Sequence, residues 1–148
     1  EFKKMKVSKE AMEWYKKADQ VWTSVGETSH DNVSWKEDRI CFKTASSAAK
    51  AMWKSEFPKQ RFPYKIIKAK GKRYSWVRRG VLSINTQRNW SAFVHDFGHW
   101  MGIKHQRINK NWKTHHCAEH AIMEWKLSRM IVDKGYINKS KEQLRKGA

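Results

Sequence analysis

Residues 91–105, SAFVHDFGHWMGIKH, gather three histidines and an aspartate into a short, otherwise apolar run. His95 and His99 are four positions apart, so on a helix they stand one above the other and direct imidazole nitrogens at a single point. A zinc ion is held this way by the H-E-x-x-H pattern, in which the glutamate beside the first histidine polarises a water on the metal. Here Asp96 stands in the acid's place. It is one methylene shorter than glutamate, and a misplacement of about 1 Å can cost on the order of a hundredfold in rate. The substitution therefore weighs on catalysis more than on metal binding. Zinc needs a third protein ligand. His105 fits the longer H-E-x-x-H-x-x-G-x-x-H spacing, with Gly102 in the glycine position, while His115 or His116 could reach back from farther along the chain.

These residues need elements to hold them. SKEAMEWYKKADQVWTSVG, residues 8–26, reads as a first helix: Ser8 caps it, Glu10 and Glu13 sit at its positive end, and Gly26 stops it. Ala11, Tyr15, Ala18, Trp22 and Val25 form its apolar face. A polar loop leads to a short strand at ICF, residues 40–42, and a helix at ASSAAKAMWKSEF, residues 45–57, broken by Pro58 and Pro63. From Tyr64 the pattern changes to β-branched and aromatic residues punctuated by Gly71 and Gly80. Three strands at about 64–69, 73–78 and 81–85 follow, arranged as an antiparallel meander.

Helical period returns with Phe93, Val94, Phe97, Trp100 and Met101, and Gly102 marks the expected end of that helix. Residues 104–114 read as a basic loop and CAEHAIMEWKLSRMIVDKG, 117–135, as the last helix. The expected organisation is one domain over 1–135 and a basic tail over 136–148.

The chain has 148 residues, enough for one packed core. Hydrophobic residues make up 39% and there are nine tryptophans, which places it among globular rather than disordered chains. Thirty-two Lys and Arg against fourteen Asp and Glu give a net charge of +18. That far exceeds the magnitude of about 2–8 usual for a small soluble domain and points to a polyanionic partner. No apolar run approaches the ~18 residues of a spanning helix, and the basic charge is spread along the whole chain. DNA is thus favoured over a membrane surface. Lys68, Lys70, Lys72, Arg73, Arg78 and Arg79 are the expected phosphate contacts, with Tyr74 and Trp76 available to stack on unpaired bases. Cys41 and Cys117 are too few for a disulfide scaffold and suit a reducing, cytoplasmic location; no secretion signal is visible.

The stretch from GVLSINT to HHCAEHAIMEW, residues 80–125, resembles the core of the SprT-like zinc metallopeptidases, the SprT and Spartan family. In that family a strand of the type I-x-L-N precedes the H-E-x-x-H helix, and a polar loop leads to H-G-x-E-[FW] at the head of another helix. LSIN (82–85), HDFGH (95–99) and HCAEH (116–120) occupy these places. The resemblance implies an α+β, zincin-like domain, a small antiparallel sheet with helices. It makes His95, His99 and His116 the zinc ligands, places Asp96 as general base, and puts Glu119 in the second acidic position. It also implies a monomer that hydrolyses peptide bonds of DNA-bound proteins. Asp96 and the Cys117-Ala118 pair depart from the family pattern.

Two other readings use the same letters. FVHDFGH is similar to the adjacent His-Asp dyad of HD-domain phosphohydrolases, an all-helical fold that requires a partner histidine upstream. His30 is the one histidine before the dyad. A non-catalytic DNA-binding module on the same scaffold is the third reading, and the missing glutamate is its support. On the charge argument, neutralising Arg78 and Arg79 together should reduce the slope of log affinity for DNA against log salt by roughly two, about one for each phosphate left without its cation. Binding titrations across a salt series measure it, and zinc content should not change.

Overall fold

The computed structural model describes residues 7–28, 34–69, 73–108 and 117–147. Among them the chain forms helices α1 (Lys9–Ser24), α2 (Phe42–Glu56), α3 (Trp90–Ile108), α4 (Ala118–Asp133) and α5 (Tyr136–Arg145). Strands β1 (Lys65–Lys68), β2 (Trp76–Arg78) and β3 (Val81–Ile84) lie between α2 and α3. This is a small α+β architecture with one mixed sheet. No helix among the described residues is long and apolar enough to cross a membrane.

The sheet order is β1-β3-β2, with β2 antiparallel and β1 parallel to β3, which replaces the expected antiparallel meander. Burial explains the order. Leu82, Ser83 and Ile84 are buried in succession, so β3 is covered on both faces and takes the centre. The flanking strands carry Lys65, Lys68 and Arg78 exposed, as suits edges that must stay in water. Asp38, in the segment before α2, ties that segment to β1 through Lys68 Nζ at 2.8 Å.

Ser8 caps α1 as expected, its Oγ accepting the Ala11 N–H at 3.1 Å. Ala11, Ala18 and Trp22 are buried, but Val25 falls at the helix end and is exposed. The expected strand at 40–42 is absent: Ile40 and Cys41 lead directly into α2. In α2 the small residues Ala45, Ala48 and Ala49 bring its backbone close to the core, where Met52 and Trp53 are fully buried. Trp53 stacks near Phe57 at 4.3 Å and meets Tyr64 edge-on at 5.5 Å, and Tyr64 in turn meets Phe97 of α3 at 6.2 Å. This aromatic chain joins α2, the approach to the sheet and the histidine helix.

One helix runs further than the sequence pattern indicated, and one helix was not expected. Gly102 keeps helical backbone inside α3, which continues to Ile108. A glycine stops a helix where the chain turns into the left-handed region, and here the apolar face formed by Phe97 and Met101 continues to pack instead. The residues after Gly135, expected as a tail, form α5. Gly135 takes φ +74°, turning the chain between the two helices, and α5 is anchored by Ser140, whose Oγ accepts the buried Cys41 N–H at 2.8 Å.

The β2–β3 hairpin closes through Arg79 and Gly80, both at positive φ, +47° and +75°. Glycine tolerates this, whereas an arginine there carries a cost of about 1–2 kcal/mol that asparagine largely avoids. Arg79→Asn should accordingly stabilise the fold by about 1 kcal/mol. The gain would appear as a higher urea midpoint at unchanged m-value.

Candidate metal centre

The centre sits on the face of α3 that meets α4. Asn89 starts α3 by accepting the Ala92 N–H on its side-chain oxygen at 2.9 Å, and one turn on from there the two histidines emerge. His95 Nε2 and His99 Nε2 lie 2.7 Å apart, their ring centroids 4.2 Å apart and the rings nearly perpendicular at 89°. The i, i+4 spacing thus brings two imidazole nitrogens to one point. His95 Nδ1 is bound by the Glu124 carboxylate from α4. Burial alone would push the His95 pKa down, but the hydrogen bond and charge of Glu124, helped by Asp96, more than reverse this and raise it.

His120, on the turn of α4 before Glu124, is fully buried. Its ring stacks on His99 with centroids 4.7 Å apart and planes 18° from parallel, and it lies 6.4 Å from His95. Its Nδ1 is 2.6 Å from the phenol oxygen of Tyr15 on α1. Burial, then the negative charge of Glu124, raises the Tyr15 pKa well above the usual tyrosine range. The phenol therefore stays protonated.

Asp96 faces a different way. Its Oδ2 accepts from Arg88 Nη1 at 3.2 Å and from the Ser75 backbone N–H, also at 3.2 Å, with both side chains of the ion pair buried. The Arg88 guanidinium also lies 4.4 Å over the ring of Tyr74, which is 66% exposed. His105 is on α3 too, but six residues beyond His99, about a third of a turn round the helix from it. There it stacks on Phe57 at 4.4 Å and its Nε2 meets Glu56 of α2 at 3.0 Å. It is not beside the His95–His99 pair. His115 and His116 lie outside the described residues, as do His30, Lys70 and Lys72. Among the described residues no group of three or more His, Cys, Asp or Glu side chains is placed to hold a metal ion.

Of the expected phosphate contacts, Arg73, Arg78 and Arg79 are exposed, with Arg78 5.5 Å over Trp76, while Lys68 is paired with Asp38. Glu119 is exposed in the first turn of α4, and the carboxylate that reaches the histidines is Glu124. The spacing of His120 and Glu124, one turn apart on one helix, was the signal for it. Tyr15 and Arg88 had no comparable local sign, because both act across long sequence separations or between elements.

No protein-family model, curated protein or solved structure matches this chain.

The buried Arg88–Asp96 pair gives a direct test of this arrangement. Arg88→Ala leaves the Asp96 carboxylate buried without its counter-charge and should destabilise the protein by about 3–5 kcal/mol. Arg88→Lys, which keeps the charge but not the planar fork, should cost less. Chemical denaturation of both variants measures the difference.

Proposed function

We propose that the protein is a DNA-associated zinc metallopeptidase of the SprT-like kind, with a zincin-like domain in which His95, His99 and His116 are the zinc ligands. One observation carries the reading: two imidazole Nε2 atoms meet at 2.7 Å while the carboxylate of Glu124 backs the far nitrogen of His95. Metal-binding histidines are oriented in this manner, the second ring nitrogen given to a carboxylate so that the first is held toward the ion. The donors fit zinc, which takes neutral imidazoles readily. Bound zinc would supply Lewis acidity, polarising a scissile carbonyl and bringing the pKa of a water to about 7.

The chain's own groups divide the remaining work. Glu124 holds the His95 ring, and Asp96 has the motif's general-base position, where it would act only on release from Arg88 and the Ser75 N–H. The net charge of +18, together with exposed Arg73, Arg78 and Arg79 and the open ring of Tyr74, supports DNA as the surface on which substrates are met. An HD-type phosphohydrolase is disfavoured, since that fold is all-helical and residues 65–84 contain a sheet. The non-catalytic DNA-binding reading has one specific observation in its favour, the engagement of the Asp96 carboxylate by Arg88 and Ser75.

Two measurements separate these readings. One zinc per chain is expected, lost in His95→Ala and in His99→Ala and weakened about 10- to 100-fold in Glu124→Gln. Zinc content unchanged in both histidine variants would remove the site. With zinc in place, cleavage of a protein held on DNA, abolished in Asp96→Ala and raised in Asp96→Glu, is the result expected of a peptidase. Stoichiometric zinc without any turnover would establish the binding module instead.

A further inference from the structure

The two converging imidazoles are held by different means. Glu124 meets the far nitrogen of His95, and the ring of His120 lies against His99, 4.7 Å away, nearly parallel and without exposed surface. His120 is itself held by α1, which packs along α4. Its Nδ1 meets the Tyr15 hydroxyl at 2.6 Å, and Tyr15 belongs to α1, 105 positions earlier in the sequence. The other ring nitrogen faces α3, where a Cβ added at Gly98 would lie 3.7 Å from it. A histidine packed on its face and edge and hydrogen-bonded at Nδ1 has one ring orientation open to it, whichever way the proton of that bond lies. An apolar pair would fill the same volume without burying an imidazole and a phenol, so the polar pair does more than occupy space.

We infer that Tyr15 and His120 are positioning residues for the zinc centre: Tyr15 fixes His120, and the face of His120 holds the His99 ring with its Nε2 toward His95. The inference rests on the zinc reading given above and deepens it. It makes α1 part of the site, although that helix contributes no ligand.

The test is the zinc affinity of the full chain, measured by competition with a chromophoric chelator, and the visible spectrum of the cobalt-substituted protein. Tyr15→Phe keeps the ring and its packing and removes the hydroxyl. It should weaken zinc binding about 10- to 100-fold at an unchanged stoichiometry and shift the cobalt bands. A hydroxyl that merely stabilises the fold would lower the melting temperature of the metal-free protein and leave zinc affinity within about twofold and the cobalt spectrum unaltered; that result overturns the inference. Should Tyr15→Phe fail to fold, nitrogen NMR of the histidines in the unsubstituted protein decides. A hydrogen-bonded His120 Nδ1, the same without and with zinc, is required, and an Nδ1 that shows no hydrogen bond overturns the proposal. Failure of the zinc reading itself is distinct: the unsubstituted protein then takes up no zinc, and the positioning role falls with it.

Discussion

A helix buried on most of its circumference has to settle every polar group it carries, and α3 is such a helix. Ten of its residues, from Trp90 to Gly102, are buried. An unpaired polar or charged side chain in that setting costs several kcal/mol. Asp96 is buried there and His95 and His105 are half-buried, and neighbouring elements supply each with a partner. Glu124 comes from α4, Arg88 and the Ser75 N–H from beside the sheet, and Glu56 from α2. The three carboxylate pairings fix the rotation of α3 about its axis, since turning it would strand all of them together.

That rotation decides what each letter of HDFGH does. Adjacent helical residues point about 100° apart, so His95 and Asp96 can be drawn to different neighbours. With His95 turned to α4, Asp96 is directed to the sheet edge, where Arg88 and the backbone of Ser75 meet it. His99, one turn from His95, returns to the α4 side and packs on His120. The centre is therefore an interhelical one: α3 brings the two converging nitrogens, and α4, backed by α1, brings the groups that orient them.

The local parts of this arrangement were legible in the sequence. Apolar period located α1, α3 and α4, Ser8 announced its cap, and the histidine spacing placed two imidazoles on one face. The parts that depend on competition between elements were not. Gly102 has the look of a helix stop, yet the packing of Phe97 and Met101 carries the helix through it, and this turns His105 toward Phe57 and Glu56. The strand segments were seen, but their order follows from which is buried on both faces, and the run VLSI gave that only once the covering helices were known. The residues after Gly135 are rich in lysine and read as a tail, whereas a few inward side chains, Ile137 and Ser140 among them, suffice to dock them as a helix. Tyr15 and His120 pair across 105 positions, a separation at which spacing carries no signal.

Arg88 connects the exposed ring of Tyr74 to the histidine helix. Buried guanidinium groups are tolerated when a carboxylate neutralises them and an aromatic face covers them, and Arg88 has both, Asp96 on one side and Tyr74 on the other. Tyr74 is itself largely open to solvent, next to the exposed Arg73 and two positions from Trp76, over which Arg78 lies. The surface with the composition to meet a polyanion is thus one residue removed from the aspartate that follows His95. A group stacked on the open face of Tyr74 would sit one ring away from the guanidinium that restrains that aspartate. The exposed basic surface and the histidine pair are thus tied to one helix, the first through Tyr74, Arg88 and Asp96 and the second directly, so holding one places the other.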